Sequence, residues 1–186
     1  MSSPRRAELV EAAYVHVLRA GLADLSLRPV AEAIGSSTGV LRFLFGSRDG
    51  LVRALLDRAR ADDAAVLARL DPQPGLGNAA AQLWLWLAAP QHRQRLVLWA
   101  ECYATSLRRP EGAFADYARG SAADWLAALA RAQPPGRRDS AAGRAERTAA
   151  LALLRGCLLD LLGTGDLPRT SRAVRDGLTA LATART

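Results

Sequence analysis

Apolar residues recur at intervals of three and four along nearly the whole chain, and the rhythm stops where glycine or proline appears. Such spacing gathers side chains on one face of a helix of 3.6 residues per turn, whereas a half-buried strand needs a period of two. From Arg5 to Ala20 the stripe is Val10, Ala13, Tyr14, Val17 and Leu18, and Gly21 closes it as a C′ glycine does. A short helix follows, with Ser26 as N-cap, Pro29 in its first turn and Val30, Ala31 and Ile34 facing inward, ending at Gly35. Ser36 and Ser37 offer the next N-cap, for a helix from Thr38 to Phe45. Gly46-Ser47 closes that one, and a long helix runs from Arg48 to Leu70. The Asp71-Pro72-Gln73-Pro74-Gly75 stretch cannot continue a helix. Beyond it the spacing predicts helices over Leu76–Ala89, Gln91–Leu107, Glu111–Ala132, Ala142–Leu162 and Ser171–Ala184. Breaks fall at Pro90, at Arg109-Pro110, from Pro134 to Arg138 and from Gly163 to Pro168. Leu and Ala dominate and Ile34 is the one isoleucine, which favours helix over strand. The expected fold is all-α, with about nine helices.

Charge and cysteine usage narrow the function classes. A formal charge of +7, carried by arginine with no lysine, suits an anionic partner such as nucleic acid. The charge is spread along the chain: residues 1–60 hold nine Arg against six acids, and residues 61–186 sixteen against twelve. Any preference for DNA therefore comes from placement. Cys102 and Cys157 lie far apart without a C-x-x-C, so they read as small buried hydrophobes in a reducing cytoplasm. No apolar run nears the roughly 20 residues of a membrane span, and no membrane association is expected. The histidines, His16 and His92, belong to no metal-binding arrangement, and there is no phosphate-cradling glycine loop or nucleophile elbow. An enzyme has little to work with; no cofactor and no metal are expected.

The segment from Ser26 to Phe45 has the parts of a helix-turn-helix: two short helices, a glycine-containing turn, and small Ala31 where the helices cross. In that geometry the head of the second helix lies against base edges in the major groove, which makes Thr38, Gly39, Val40, Arg42 and Phe43 candidate contacts. A helical hairpin inside a larger bundle is the competing reading. Arg5 and Arg6 form an arm that either reaches a minor groove or stays solvated.

Through Arg5-Arg6-Ala7-Glu8, the run from Ser26 to Gly35, and the run from Ser37 to Leu51, the chain resembles the TetR family of transcriptional repressors. The strong resemblance covers about the first third of the chain, with a looser match in Trp99-Ala100-Glu101 and from Leu151 to Gly163. It implies a three-helix DNA-binding domain over residues 1–50 and a helical ligand-binding and dimerisation domain over residues 51–186. It puts Ser26 and Arg48 on phosphates, and Thr38 and Gly39 at the head of the recognition helix; Arg28 and Ser37 complete the candidate set. The family usually has an apolar residue at Ser36, a phosphate-binding Tyr at Arg42, and His or Tyr at Phe43 and Leu44. Arg42 replaces that Tyr on a phosphate or reaches a guanine. Phe43 cannot hydrogen-bond, so it touches a thymine methyl or packs internally.

All four tryptophans fall between positions 84 and 125. Trp84 and Trp86 point apart, because residues two apart on a helix diverge by about 200 degrees. One is expected to line the interior and the other a helix contact. Trp99, Cys102, Tyr103 and Ser106 share a face and form a candidate pocket wall, to which Trp125 and an inward Arg155 or Glu101 would add. The pocket would take a small apolar inducer; ordinary core is the competing reading. Leu151, Leu154, Leu158, Leu161 and Leu162 make a broad apolar face, and Val174, Leu178 and Leu181 a thinner one. In the family the last two helices pair with their symmetry mates, which marks Leu154, Leu158, Leu161, Leu162, Val174 and Leu178 as candidate homodimer contacts. Burial of these leucines within one chain is the alternative.

The expected function is thus a ligand-responsive regulator, a repressor that binds a palindromic operator as a homodimer and is released by its inducer. Family resemblance gives the long helix from Arg48 the role of moving the recognition helices when inducer binds. The alternative is a helical small-molecule-binding protein without specific DNA binding.

Overall fold

A computed structural model describes residues 4–22, 25–70, 75–109 and 111–183. The expected break over residues 71–74, Pro110 and the helix end at Ala184 lie outside the described residues. Among those described there are ten α-helices and no strand: α1 Pro4–Ala20, α2 Leu27–Ala33, α3 Thr38–Phe45, α4 Arg48–Ala68, α5 Leu76–Leu87, α6 Arg93–Arg108, α7 Tyr117–Arg131, α8 Pro135–Arg138, α9 Ala141–Thr164 and α10 Leu167–Thr183. The all-α expectation holds, and α3 falls on its expected residues. No helix among the described residues is long and apolar enough to cross a membrane.

Three departures have local causes. The helix expected from Glu111 is interrupted: a 3-10 turn, Gly112–Phe114, precedes Asp116 at φ 63°, and α7 starts only at Tyr117. The stretch from Pro134 to Arg138 is one helical turn, since Pro135 occupies a first-turn position where its missing N–H costs nothing. Helix α10 begins at Leu167 rather than Ser171 because Asp166 caps it. The Asp166 carboxylate accepts the Arg169 N–H at 3.1 Å, and Pro168 sits harmlessly in the first turn.

The chain divides into two compact units, residues 1–63 with 97–121, and residues 64–96 with 122–186. The boundaries between the units fall within α4, α6 and α7, and the apolar residues Leu51, Val52, Leu55 and Leu56 of α4 are buried in the first unit. The core of that unit also draws Val10, Ala13, Tyr14 and Val17 from the α1 stripe expected from spacing, with Leu9 added and Leu18 only half-buried. In the second unit α5, α9 and α10 pack on one another, burying Leu83, Leu87, Leu154, Leu158 and Val174. Trp84 and Trp86 part as expected. The Trp84 indole is buried and donates to the Ser171 hydroxyl at 3.0 Å, while Trp86 stacks on His92 at 4.0 Å.

Candidate DNA-binding site

The helix-turn-helix is built by local chemistry. Gly35, at φ 63°, takes the left-handed conformation that ends α2, and the Ser36 N–H returns to the Ala31 carbonyl at 2.8 Å. Ser37 then caps α3, its hydroxyl accepting the Val40 N–H at 3.2 Å. Leu41 and Phe45 of α3 are buried and Thr38 and Leu44 half-buried, so the helix presents Gly39, Val40, Arg42 and Phe43 outward. At its far end Gly50 in the first turn of α4 lies against the α3 backbone: a Cβ there would stand 1.9 Å from the Phe45 carbonyl oxygen. No other residue permits that approach.

Of the candidate contacts, Ser26, Arg28, Ser37, Gly39, Val40, Arg42 and Phe43 are exposed and Thr38 is half-buried. Phe43 stands out at 88 % exposure, which eliminates internal packing of its ring. Arg28 pairs with Glu32 at 3.0 Å, both well exposed, and an arginine in such a pair exchanges partners at little cost.

Arg48 behaves differently. Its guanidinium Nε donates to the Leu25 carbonyl at 2.6 Å and a terminal nitrogen lies 3.3 Å from the Asp49 carboxylate. It is half-buried and ties the start of α4 to the loop before α2. Arg48, expected on a phosphate, thus also has a positioning role, with its side chain still about a third exposed. Arg5 and Arg6 also depart from the free-arm picture. Both are helical; Arg5 pairs with Glu8 at 3.1 Å, and Arg6 lies 5.0 Å from the centroid of the Phe45 ring.

Sequence spacing missed the ties that hold this unit together, since they join residues far apart in the chain. Arg58 of α4 reaches Glu11 of α1 at 2.6 Å, pairs with Asp62 and lies over the Tyr14 ring, and the Tyr14 hydroxyl donates to Asp62 at 3.1 Å. Glu101 of α6, considered for a pocket, accepts the Leu22 N–H at 2.8 Å and so secures the α1–α2 loop. No pattern at a fixed interval signals either.

The candidate ligand residues separate into two groups. Trp99, Cys102, Tyr103 and Ser106 belong to the first unit, Trp125 and Arg155 to the second. Trp99 and Tyr103 lie with ring centroids 5.4 Å apart, but Trp99 is buried with its indole N–H on the Ser121 hydroxyl at 3.0 Å, and the Ser106 hydroxyl accepts the Ala118 N–H at 3.2 Å. Cys102 is fully buried, and burial pushes its thiol up to about 12, so it stays protonated and inert. Cys157 is only half-buried. Trp125 is buried, with the half-buried Arg155 guanidinium 5.1 Å from its ring centroid. In the second unit a groove of about 820 Å³ runs between α5 and α10, walled by Trp84, Leu85, Ser171, Val174 and Leu178. None of the six candidate ligand residues lines it.

The candidate dimer contacts also divide. Leu154, Leu158 and Val174 are buried within the chain, at 0 %, 0 % and 2 % exposure, and have no surface left for a second chain. Those three are corrected to core residues. They form the inner face of the α5, α9 and α10 packing, which is why they repeat at three and four. Leu161, Leu162 and Leu178 are half-buried.

The comparisons with known proteins agree with this architecture. No family model matches the sequence. The regulator BetI of Burkholderia thailandensis, an HTH-type transcriptional regulator, is 30 % identical over 155 residues, 78 % of each protein. The BetI of Burkholderia ambifaria is 30 % identical over 109 residues, and there the chain spans only 56 % of the relative's length. Among solved structures, the multidrug binding protein EbrR complexed with imidazole is 32 % identical, with a TM-score of 0.73 over 97 % of this chain and 91 % of that one. The chain belongs to the TetR family of transcriptional regulators. A TetR-family regulator from Rhodococcus sp., at 20 % identity and a TM-score of 0.76, shares the fold. Membership in a family of HTH-type regulators agrees with the helix-turn-helix geometry of α2 and α3.

Proposed function

We propose that this TetR-family protein is a repressor that binds a palindromic operator in the cytoplasm as a homodimer and is released by a small apolar ligand. The observation that carries the reading is the outer face of α3, where Gly39, Val40, Arg42 and Phe43 are exposed on a helix anchored by Leu41 and Phe45. Thr38 and Gly39 head that helix, Arg42 contacts a phosphate or a guanine, and Ser26, Arg28 and Ser37 flank it on the backbone. Two such helices about 34 Å apart read successive major grooves on one side of the duplex.

The dimer rests on the outer face of α9. Ala152, Gly156, Leu159 and Gly163 are exposed at intervals of four, three and four, with Leu161 and Leu162 alongside. A stripe of small residues lets a second helix approach closely, and Leu159 supplies the apolar anchor. For the ligand, Tyr103 of the first unit is the half-buried member of the aromatic set and has surface left to offer. The EbrR structures complexed with proflavin and with ethidium, 31 % and 29 % identical to this chain, make those two compounds the first probes.

The test is a titration at several salt concentrations against duplexes selected from the source genome, with Thr38→Ala and Arg42→Ala beside the wild type. Tight binding to a palindrome, weakened by both substitutions, is expected, together with binding of a probe to the protein measured without DNA, since both dyes also intercalate. Weak, sequence-blind binding that vanishes with salt refutes it and leaves a small-molecule-binding protein.

A further inference from the structure

The most solvent-exposed large apolar side chain among the described residues is on the recognition helix. Phe43 is 88 % exposed at the middle of α3, where it adds nothing to the folded core. One turn earlier on the same face is Gly39, where even an added Cβ would meet only the Ser37 hydroxyl, at 3.7 Å. Val40, also a neighbour at helical spacing, is 37 % exposed. The result is an aromatic ring beside an open notch and a β-branched side chain, on a helix that carries exposed Arg42.

A phenyl ring has no donor or acceptor, so it cannot take part in the hydrogen-bond code of base edges. The major groove offers it one apolar group, the methyl on C5 of a pyrimidine. Wedge insertion between base steps belongs to minor-groove binders, whereas a recognition helix of this kind lies in the major groove. We propose that Phe43, with Gly39 and Val40 forming the notch beside it, reads a 5-methylpyrimidine in each operator half-site. The inference rests on α3 being the DNA-recognition helix. The methyl belongs to thymine or to 5-methylcytosine; in the second case methylation of the operator would switch affinity.

The experiment takes the operator selected by the wild-type protein and removes one methyl at a time, replacing each thymine by deoxyuridine symmetrically in both half-sites. A second series methylates each cytosine at C5. Wild type, Phe43→Ala and Phe43→Leu are titrated against both. Losing one buried methyl is worth about fourfold in affinity per half-site. At one position, thymine-to-uracil replacement is expected to weaken wild type by about that factor per half-site, or cytosine methylation to strengthen it equally. Phe43→Ala should be weaker and indifferent to that methyl, and Phe43→Leu intermediate. Wild-type binding that is blind to every methyl overturns the inference, as does a methyl effect that survives in Phe43→Ala. Both outcomes leave the regulator reading intact, whereas absence of any specific operator sinks that reading and this one together.

Discussion

Helices α3 and α9 both leave a large apolar side chain in solvent, Phe43 on one and Leu159 at 52 % exposure on the other, and their surroundings differ. Phe43 belongs to a short, N-capped helix whose outward residues include an arginine and a glycine, and whose buried residues are Leu41 and Phe45. Leu159 lies in a line of Ala152, Gly156 and Gly163, on a helix whose opposite face is already filled with Leu151, Leu154 and Leu158. Exposure alone does not name a partner; the neighbours do. An apolar ring among cationic and small polar residues suits the edge of a duplex, where methyls and phosphates alternate, and an apolar residue in a stripe of small ones suits another helix.

The largest effect should come from the buried side of α9. Leu154→Ala is expected to lower the unfolding free energy by about 2–5 kcal/mol, from lost transfer energy plus a cavity that the α5, α9 and α10 packing cannot close. Urea melts measure it. A cost below about 1 kcal/mol would mean that the inner face of α9 is not the core of its unit and that the comparison has the two faces reversed.

On the α3 side the sharper contrast is between Arg42 and Arg48, alike in sequence and opposite in placement. Arg42 is exposed, while Arg48 donates to the Leu25 carbonyl at 2.6 Å. Arg42→Ala should weaken operator binding by about 1–3 kcal/mol with little change in stability, and for a phosphate contact it should reduce the salt slope by about one. Arg48→Ala should instead cost about 1–3 kcal/mol of stability, because a carbonyl loses its donor, and leave the salt slope unchanged. Equal slopes lost by both variants would put Arg48 on the phosphate backbone as well.

How much of this was readable in the sequence follows from the range of each interaction. Element positions and the Ser37 cap depend on residues a few places apart, and α3 came out on its expected residues. Helix α10 started early because a capping Asp outweighs a Pro that is harmless in a first turn. The leucine stripe of α9 announced that a face is buried but not against what; Leu154 and Leu158 met their own chain where a second one was expected. The Arg48 clasp, the Arg58 pair with Glu11 and the hold of Glu101 on Leu22 span from 23 to 79 residues. Motif position located these side chains without revealing their partners.

On the outer side of α9, Leu159→Asp is expected to raise the dimer dissociation constant about tenfold while the protomer keeps its helicity and melting curve, since Leu159 is exposed in the single chain. Sedimentation at several concentrations measures the shift. An unchanged association would mean that α9 does not carry the dimer, and attention would pass to the α5–α10 groove with its exposed Leu85.

The smallest expected effect is the most discriminating. Phe43→Ala should change the unfolding free energy by no more than about 0.5 kcal/mol, because the side chain leaves almost no contact behind. A buried phenylalanine lost to alanine costs about 3–5 kcal/mol, so the melt alone separates a solvent-facing ring from a packed one. The unchanged melt matters for a second reason: any loss of operator affinity in the same variant is then a loss of contact with the duplex, and not of folded protein. If its removal also left operator binding intact, the face of α3 that contacts bases would have to lie on the Thr38 side, and the contrast between α3 and α9 would reduce to two unpartnered apolar residues.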